Sequence, residues 1–534
     1  MQGQMMNQPL IVSSLIEHAE RFHGDTEIVS RTVEGLSADD GGAINNGVHR
    51  YTYADAHQRS KQLANALQTL GIQTGDRVGT LAWNGYRHFE LYYAISGMGA
   101  ITHTVNPRLF PEQIAWIVND AEDQILFFDL TFAPLIEAVA AQCPSVKHWV
   151  AMTDREHMPE LNVPNLLCYE DLLVAESNDF AWPQLDENSA CALCYTSGTT
   201  GNPKGVLYSH RSTLLHAFSS AMPDSMNLSA SDAVLPVVPM FHVNAWGIPY
   251  AAPMVGAKLV FPGAGMDGAS LCELFENEGV TFTAGVPTVW LGVLQHLLST
   301  GTKLSTVKRM IVGGAACPPA LMQSFKNEYS IKLQHAWGMT ELSPLGAVNT
   351  LKQRHLTLSD ADRFALETKQ GRPPFGIDLK IVDGDGNELP RDGQAAGDLL
   401  VRGHWVVNQY FGKDDSPLEN GWFPTGDVAN LDQDGFMQIT DRSKDVIKSG
   451  GEWNIAMGHP AVAEAAVIGV KHPKWDERPL IAVVKKADQE VTREDILAQY
   501  PGKVAKFCIP DDVVFVDEIP HTATGKVSKL LLRE

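Results

Sequence analysis

The sequence of 534 residues predicts an α/β fold with mostly parallel sheets, and three observations carry this prediction. Apolar strands alternate with amphipathic helices along most of the chain, short strands with Asp/Gly turns from residue 377 onward indicate a small β subdomain, and a compact α/β segment ends the chain. The chain becomes polar around Asp441. We place a hinge there, between an N-terminal domain (1–440) and a C-terminal domain (441–534).

The first part of the chain predicts alternating helices and strands. Apolar spacing indicates helices over 10–30, 55–71 and Tyr86–Gly97, and apolar runs indicate strands over Val78–Ala82 and Gln124–Phe128. The polar, glycine-rich stretch 34–48 is typical of a surface loop.

The alternation continues after residue 205, with helices predicted over His210–Ser220 and 268–278 and strands over Lys258–Phe261 and Lys308–Val312. The last of these strands ends on Gly313-Gly314, and Pro318-Pro319 suit the first turn of a helix. A strand, a glycine turn and a helix place backbone amides at the carboxyl edge of a sheet. Open α/β sheets bind ligands at that edge.

The stretch Ala233–Ala257 contains no Asp, Glu, Lys or Arg and is long enough to span a bilayer. Its prolines, together with His242 and Asn244, argue against a single membrane helix. We therefore predict a buried strand and loop that line a pocket, and no membrane span.

The composition excludes several classes of partner. The formal net charge of −22 disfavours nucleic acid and an anionic membrane surface, so local cations and backbone amides must hold any polyanionic ligand. The Cys191-x-x-Cys194 pair lacks a second pair, which favours buried strand thiols over zinc or redox chemistry. Seven scattered cysteines and an N-terminus without a signal-peptide pattern predict a reducing, cytoplasmic location.

The stretch Tyr195-Thr-Ser-Gly-Thr-Thr-Gly-Asn-Pro-Lys204-Gly205 has the composition of a phosphate-binding loop. Its glycines allow a close backbone approach, Lys204 adds positive charge, and four hydroxyl groups can donate hydrogen bonds: those of Thr196, Ser197, Thr199 and Thr200. Pro203 excludes a Walker A loop, which needs glycine before the lysine. The apolar flanks predict strand, loop, strand. A flexible surface loop is the alternative.

Three further clusters follow in a fixed order. Trp337-Gly-Met-Thr-Glu341 joins an aromatic face to a hydroxyl and a carboxylate, Phe423-Pro-Thr-Gly-Asp427 ends a turn with a carboxylate, and Pro520-His-Thr-Ala-Thr-Gly-Lys526 presents a second lysine. An aromatic ring can stack on a base, and a carboxylate can accept from ribose hydroxyls or bind Mg²⁺. Each cluster alone is weak evidence, and their joint presence is the strong signal.

With these motifs in this order, the chain resembles the adenylate-forming superfamily of acyl-CoA synthetases, non-ribosomal adenylation domains and beetle luciferases over essentially its whole length. Four stretches resemble the medium-chain acyl-CoA synthetase branch, which includes 3-methylmercaptopropionyl-CoA ligases: Phe241–Asn244, Gly313–Ala316, Asp441–Trp453 and His472–Arg478. The resemblance implies two mostly parallel sheets in the large domain and a small C-terminal domain that rotates between two half-reactions.

The reaction that the resemblance implies is ATP-dependent acyl-CoA synthesis. A carboxylate attacks the α-phosphorus of ATP to give an acyl-adenylate and pyrophosphate, and the thiol of coenzyme A then displaces AMP. Lys526 would bridge the acyl oxygen and the α-phosphate, because two anions have to approach one another. The implied acid is 3-methylmercaptopropionate or a short- or medium-chain fatty acid such as butyrate, and a homodimer is left open.

Motif positions imply the other site residues. Lys526, Glu341 and His242 would be catalytic, Thr199 and Glu341 would hold Mg²⁺, and the acid would meet His242, Val243, Trp246, Gly313 and Gly338. ATP and coenzyme A would contact Thr196, Ser197, Gly198, Thr199, Thr200, Gly201, Lys204, Gly314, Ala315, Ala316, His335, Ala336, Trp337, Gly338, Met339, Thr340, Asp427, Ile439, Arg442, Lys448, Gly450, Gly451, Glu452 and Trp453.

Several assignments keep an alternative. A lone histidine in an apolar run, such as His242, is usually a core residue, Trp246 suits core filling as well as capping of the acyl pocket, and Lys448 suits a solvated surface charge. For the whole chain, a luciferase-like monooxygenase and a non-catalytic adenylate-binding protein are the alternatives.

The sequence departs from the superfamily between Trp453 and Asn454, where relatives carry several more residues. Either this stretch is deleted, which would change the wall of the coenzyme A tunnel, or a loop is missing from the chain. The matching flanks on both sides favour a missing loop.

Overall fold

A computed structural model of the protein describes residues 1, 3–34, 47–196, 202–442, 455–472, 476–486, 489–500, 509–521, 527 and 529–533. Within these residues the chain forms two large sheets, a four-stranded antiparallel sheet and a three-stranded sheet. The predicted α/β class with mostly parallel sheets and a small β subdomain is confirmed. The domain division at Asp441 stays a prediction.

The strands are, in chain order, β1 Glu27–Arg31, β2 Val48–Thr52, β3 Arg77–Leu81, β4 Ile101–Thr104, β5 Ile125–Phe128, β6 His148–Ala151, β7 Leu166–Cys168, β8 Ala190–Tyr195, β9 Gly205–Ser209, β10 Ala233–Pro236, β11 Lys258–Phe261, β12 Phe282–Gly285, β13 Arg309–Val312, β14 Lys332–Gly338, β15 Leu345–Val348, β16 Ile377–Val382, β17 Ala396–Gly403, β18 Phe423–Leu431, β19 Met437–Arg442, β20 Val462–His472, β21 Asp476–Lys485 and β22 Asp512–Phe515.

The α-helices are α1 Ser13–His23, α2 Tyr53–Thr69, α3 Tyr86–Gly97, α4 Pro111–Asp120, α5 Ala133–Val139, α6 Tyr169–Val174, α7 His210–Ala221, α8 Ile248–Val255, α9 Gly268–Asn277, α10 Pro287–Thr300, α11 Pro319–Tyr329, α12 Asp360–Glu367, α13 Arg493–Leu497 and α14 Lys529–Arg533.

Both large sheets are parallel in their interiors and antiparallel only at edges. The first has the order β7-β6-β5-β3-β4-β8-β9, in which only the β8–β9 pair is antiparallel. The second has the order β15-β14-β13-β12-β10-β11-β1-β2, with antiparallel pairs β14–β15 and β1–β2 at its two edges. Parallel strands gather their carboxyl ends at one edge, so the loops after β8, β10, β13 and β14 are the natural place for a ligand.

Helix α3 packs between the two large sheets, and all twelve of its residues are buried. Leu91 and Ile95 cluster with the first sheet, and the ring of Phe89 lies 5.9 Å from that of Phe261 in the second. A helix that is buried on every side needs internal partners for its polar atoms. The hydroxyls of Tyr92 and Tyr93 meet this need by donating to backbone carbonyls of Met240 and Pro249, at 2.6 and 2.7 Å.

Two predicted elements are corrected. The helix predicted over 10–30 ends at His23, because Ile28 and Val29 belong to a buried strand that pairs with β11 and β2. In the stretch 233–257, the buried strand is confirmed, but the predicted loop contains helix α8. Pro253 cannot donate to the carbonyl of Pro249 four residues back, and the Tyr93 hydroxyl donates to that carbonyl instead.

Buried histidines make the stability of this fold sensitive to acid. Burial lowers the pKa of His88 and His210 to about 4 and that of His216 to about 3, from the ordinary 6.5. Between these values and 6.5 the unfolded chain binds more protons than the folded one, so stability is lost as the pH falls through this window. Burial raises the pKa of Asp129 to about 7, which opposes the loss. Burial also raises the pKa of Asp123 and Glu90, and it lowers the pKa of three more histidines: His49, His57 and His335. Because the buried imidazoles outnumber these carboxyls, we expect a lower urea midpoint at about pH 5.5 than at about pH 7.5.

Single variants separate the two contributions. Nδ1 of His210 accepts a hydrogen bond from the backbone N–H of Val12 at 3.1 Å, which protonation would break. His210→Gln should therefore make the pH dependence shallower, and Asp129→Asn should make it steeper. His404→Gln, at an exposed surface histidine, serves as the control. An unchanged pH dependence in both His210→Gln and Asp129→Asn would contradict this account.

Candidate active site

The two ends of the predicted phosphate-binding loop lie on a hairpin. Strands β8 and β9 pair Tyr195 with Gly205, Thr196 N–H donates to the Lys204 carbonyl at 2.9 Å, and Lys204 N–H donates to Thr196 Oγ1 at 3.1 Å. The two strands predicted on either side of the loop are confirmed. Ser197, Gly198, Thr199, Thr200 and Gly201 lie outside the described residues.

Strand β8 anchors this hairpin through its buried side chains. Cys191 and Cys194 are buried on it, as predicted, and burial raises the pKa of their thiols to about 12 and 11. The hydroxyl of Tyr195 donates to Asp120 at 2.7 Å. These contacts fix the point at which the chain enters the loop.

Gly205, at the exit of the loop, allows a neighbouring segment to pack closely. A Cβ atom at this position would lie 2.9 Å from Cβ of Phe411, and the Gly205 carbonyl accepts from the N–H of Phe411 at 2.8 Å. The segment that ends at Phe411 therefore lies directly against the loop.

Tyr410 connects the two charged residues predicted for phosphate and Mg²⁺. The Lys204 ammonium lies 4.7 Å from the centroid of the Tyr410 ring, and the Tyr410 hydroxyl donates to Glu341 Oε1 at 2.9 Å. Burial, and then the nearby Glu341 carboxylate, raises the pKa of Tyr410, so the phenol is protonated and acts as the donor. The structure thus brings Lys204 and Glu341 together through a residue that the motifs did not indicate.

The aromatic residue and the carboxylate predicted for the nucleoside touch each other. Nε1 of Trp337 donates to Oδ2 of Asp427 at 3.0 Å, and both residues are buried. Strand pairing also sets Asp427 opposite Arg442, the second residue predicted for the ribose, whose side chain lies outside the described residues. The indole packs over Gly346, where a Cβ atom would lie 2.2 Å from it. Only 8% of Trp337 is exposed, so its predicted role beside the adenine stays a prediction.

The glycine turn after β13 and the start of the 337–341 motif are neighbours. A Cβ atom at Gly313 would lie 3.0 Å from the Ala336 carbonyl, while Gly314 has φ +79° and, with Ala315 and Ala316, is exposed. His335 is buried, which lowers the pKa of its imidazole, and its Nδ1 lies 3.2 Å from the Thr368 carbonyl. The turn therefore offers backbone amides at the carboxyl edge of the second sheet.

The segment 338–341 is held from several sides. The Tyr208 hydroxyl donates to the carbonyl of Thr340 at 2.7 Å, and the N–H of Met339 donates to the Pro344 carbonyl at 3.1 Å. A Cβ atom at Gly338 would lie 2.1 Å from the same Pro344 oxygen, so only glycine fits there. These contacts fix the backbone that carries Glu341.

Two of the residues predicted for the acid, Val243 and Trp246, lie in a left-handed turn. Val243, Asn244, Ala245 and Trp246 have φ between 48° and 57°, and Gly247 has φ +77°. Each non-glycine residue in this conformation costs roughly 1–2 kcal/mol. The Asn244 amide oxygen accepts from the Tyr92 hydroxyl at 3.2 Å, and burial of the turn helps to offset the strain. Strain of this kind concentrates at functional sites.

The left-handed turn presents Trp246 to the glycine turn. A Cβ atom at Gly313 would lie 3.0 Å from the indole, so the two candidate acid-binding residues are adjacent. His242, at the start of the turn, is partly buried, and its N–H donates to Pro239 at 3.1 Å. Trp246 is half-buried and also packs against the main core. Core filling and capping of the acyl pocket therefore both stay predictions for this residue.

Two buried residues that the motifs did not indicate position this turn. Asn84 donates to the carbonyls of Pro236 and Val238 at 2.8 and 2.9 Å and accepts from Met240 N–H at 2.6 Å. The ring of His216 would lie 2.7 Å from a Cβ at Gly247, and its Nε2 accepts from Leu345 N–H at 3.3 Å. A sequence signal existed only for Asn84, which follows a parallel strand at its carboxyl end.

Ile439 and Arg442 are the described candidate residues that lie nearest to the C-terminus. Ile439 lies on β19, and its N–H donates to Gln370 Oε1 at 2.7 Å. Lys448, Gly450, Gly451, Glu452, Trp453 and Lys526 lie outside the described residues. Among the residues that are described, no group of three or more His, Cys, Asp or Glu side chains could hold a metal ion, and no helix is long and apolar enough to cross a membrane.

Comparisons with known proteins show which family the chain belongs to. The profile of the AMP-binding enzyme family matches residues 17–411, and that of the AMP-binding enzyme C-terminal domain matches residues 454–526. The chain is 52% identical to a 3-methylmercaptopropionyl-CoA ligase of Ruegeria lacuscaerulensis, covering 100% of this chain and 98% of the relative. It is 49% identical to a medium-chain-fatty-acid–CoA ligase of Ectopseudomonas oleovorans, covering 100% and 97%.

The first of these alignments spans 542 positions, eight more than the chain has residues, so the relative carries at least eight residues that this chain lacks. This agrees with the shortening noted in the sequence. Among solved structures, an anthranilate CoA ligase in complex with anthranoyl-AMP superposes with a TM-score of 0.86 at 24% identity, covering 100% of this chain and 98% of that one. At this identity, the likeness shows a common fold.

Proposed function

The chain belongs to the AMP-binding enzyme family and is an AMP-forming acid–thiol ligase, and we propose that its acid substrate is 3-methylmercaptopropionate or a short- or medium-chain fatty acid. It would convert this acid, ATP and coenzyme A into acyl-CoA, AMP and pyrophosphate through an acyl-adenylate. The observation that supports the proposal is the close packing of Trp246 against Gly313, beside the loops that contain the nucleotide-binding motifs.

The nucleotide assignment is supported by two contacts. Lys204 and Glu341 both contact Tyr410, which suits a triphosphate held between a lysine and a metal-binding carboxylate. Trp337 and Asp427 share a hydrogen bond, which suits adjacent base and ribose sites. We assign the β- and γ-phosphates to the loop 196–205, the adenine to the Gly314–Ala316 turn with Trp337, and the ribose to Asp427 with Arg442.

Mg²⁺ fits the residues that are present. Glu341 offers a largely buried carboxylate, and Mg²⁺ is commonly bound by one or two carboxylates together with substrate phosphates and water. Thr199 would supply a hydroxyl ligand. When bound, the ion would neutralise negative charge on the phosphates of ATP. Coenzyme A is assigned to the segment 445–453, where Lys448 is the candidate contact for its phosphates.

The acid assignment rests on the bulk of the Trp246 indole at the end of the proposed acyl pocket. The indole of Trp246 lies against Gly313, and a bulky ring at this point shortens the space that an acyl chain can occupy. His242 begins the same turn and would line the pocket. Two of the relatives that match this chain over its full length are named for 3-methylmercaptopropionate and for medium-chain fatty acids.

A panel of acids tests the substrate proposal. We expect 3-methylmercaptopropionate, butyrate and hexanoate to give kcat/KM values at least about 10-fold above those of palmitate and benzoate, because a misfitting methylene costs roughly 10- to 200-fold in an apolar pocket. The measurement is coenzyme A-dependent release of AMP. Reactions without coenzyme A serve as the control.

The panel also contains the outcome that contradicts the proposal. A strong preference for aromatic acids or for the C16 acid would show that Trp246 does not limit the pocket. Trp246→Ala should then leave the order of the acids unchanged, whereas the proposal expects it to improve the longer chains relative to butyrate.

A cytoplasmic location and a homodimer remain part of the proposal. The cysteines within the described residues are free and buried: Cys143, Cys168, Cys191, Cys194, Cys272 and Cys317. Free thiols suit a reducing compartment. Light scattering after size-exclusion chromatography measures the oligomeric state directly.

A further inference from the structure

Tyr410 occupies a place that the known motifs leave unexplained. It lies 69 positions from Glu341 in the sequence, yet its hydroxyl donates to Glu341 Oε1 at 2.9 Å while the face of its ring receives the Lys204 ammonium at 4.7 Å. One phenol thus contacts the cation assigned to the phosphates and the carboxylate assigned to Mg²⁺.

The backbone fixes Tyr410 relative to both partners. Val407 N–H donates to the backbone carbonyl of Glu341 at 2.8 Å, and Phe411 N–H donates to the carbonyl of Gly205 at 2.8 Å. The segment 407–411 is therefore tied at one end to the residue that carries the carboxylate and at the other to the residue next to Lys204. This bracing holds the backbone of Tyr410 between its two partners.

The two contacts act on opposite charges. Lys204 is exposed, whereas Glu341 is largely buried, and a direct ion pair between them would occupy the groups that ATP and Mg²⁺ need. An aromatic face attracts the ammonium without accepting its proton, and a phenol hydroxyl orients a carboxylate oxygen while leaving other lone pairs free. The phenol can therefore hold both groups apart and still available.

We propose that Tyr410 is a positioning residue for Mg–ATP: its hydroxyl orients Glu341 toward the metal ion, and its ring holds Lys204 toward the phosphates. This inference rests on the proposed function of the site. Carboxylates that bind metal ions are themselves usually held by hydrogen bonds, and loss of such a partner typically costs roughly 10- to 100-fold in metal affinity or activity.

Two substitutions separate the two halves of the role. Tyr410→Phe removes the hydroxyl and keeps the ring, so the gain in ATP affinity that Mg²⁺ brings should shrink by about 10-fold or more while the affinity for ATP without Mg²⁺ stays unchanged. Tyr410→Leu removes the ring as well, so the affinity for ATP without Mg²⁺ should also fall, by roughly 2- to 30-fold. Isothermal titration with ATP, in the presence of Mg²⁺ and then of EDTA, measures both quantities without any acid or turnover.

Tyr53 provides a matched control. Its buried hydroxyl donates to the backbone carbonyl of Ala257 at 2.7 Å, and neither residue is assigned to ATP, Mg²⁺ or the acid. Tyr53→Phe should leave the Mg²⁺-dependent gain in affinity unchanged, and an equal loss in both phenylalanine variants would show that Tyr410 merely supports the fold. In the Glu341→Gln background, Tyr410→Phe should have no further effect on that gain, because the carboxylate that it orients is gone.

The outcomes also separate this inference from the proposed function. If the wild-type protein binds Mg–ATP but both Tyr410 variants bind it equally well, the role of Tyr410 is wrong and the ligase assignment stands. If the wild-type protein binds no ATP and releases no AMP with any acid of the panel, the proposed function itself fails. The thermal unfolding midpoint of each variant shows whether it is folded.

Discussion

Lys526→Ala is expected to lose adenylation by a factor of about 10³ while retaining most of the transfer from preformed acyl-adenylate to coenzyme A. In the first half-reaction two anions approach each other, and Lys526 is assigned to the developing charge between the acyl oxygen and the α-phosphate. Removal of one such preorganised donor typically costs roughly 10²- to 10³-fold. In the second half-reaction AMP is the leaving group, so we expect the positive charge of Lys526 to contribute less to the rate.

The two half-reactions can be measured separately. Exchange of labelled pyrophosphate into ATP reports adenylation, and release of AMP from a synthetic acyl-adenylate plus coenzyme A reports transfer. Lys485→Ala is a suitable control, because this lysine also belongs to the C-terminal segment and pairs with the exposed Glu490 at 3.5 Å. An equal loss of both half-reactions in Lys526→Ala would overturn the assigned role.

Elements with strong local signals could be predicted from the sequence. The helix Tyr86–Gly97 and the strand Lys258–Phe261 have the predicted bounds, because each ends at a clear local signal. The helix, rich in apolar and aromatic residues, ends at Gly97, and the apolar strand is followed by Pro262. The strand Glu27–Arg31 was missed because its stability comes from distant partners, β2 and β11, rather than from local spacing. Gly24, which ends α1, was the local signal that could have separated the two elements.

The candidate site was predictable as a set of residues but not as a set of contacts. Trp337 and Asp427 were both assigned to the nucleoside from their motifs, whereas their mutual hydrogen bond joins residues 90 positions apart. Tyr410 carried no signal, because its importance comes entirely from where the chain passes Lys204 and Glu341. The left-handed turn at 243–246 was equally hidden, since Val, Ala and Trp rarely adopt positive φ.

The position of the acid pocket follows from these hidden features. The left-handed turn directs Trp246 toward Gly313. The two ends of this turn are held by Asn84 and His216. A family motif can name the residues of such a pocket, but its depth depends on backbone strain that the surrounding core maintains. Substrate choice is therefore the property that is hardest to predict from the sequence.

Asp427→Ala is expected to raise the KM for ATP by about 10²-fold or more. The carboxylate is assigned to the ribose hydroxyls, and hydrogen bonds to a charged group contribute about 1.5–3 kcal/mol each. The same substitution leaves the buried Nε1–H of Trp337 without the acceptor that it now has at 3.0 Å, so we also expect a lower unfolding midpoint. Steady-state kinetics at varied ATP and thermal unfolding measure the two effects.

Two further variants distinguish ribose binding from support of the indole. Trp337→Phe removes the indole donor and keeps the carboxylate, so it should preserve contacts to the ribose and show a much smaller rise in KM. Asp427→Asn keeps one oxygen, which can accept from Trp337, and turns the other into an amide donor. It should therefore recover the unfolding midpoint but not the affinity for ATP. If Trp337→Phe raised the KM as much as Asp427→Ala and Asp427→Asn left the KM unchanged, the carboxylate would act only by holding the indole, and the ribose assignment would be wrong.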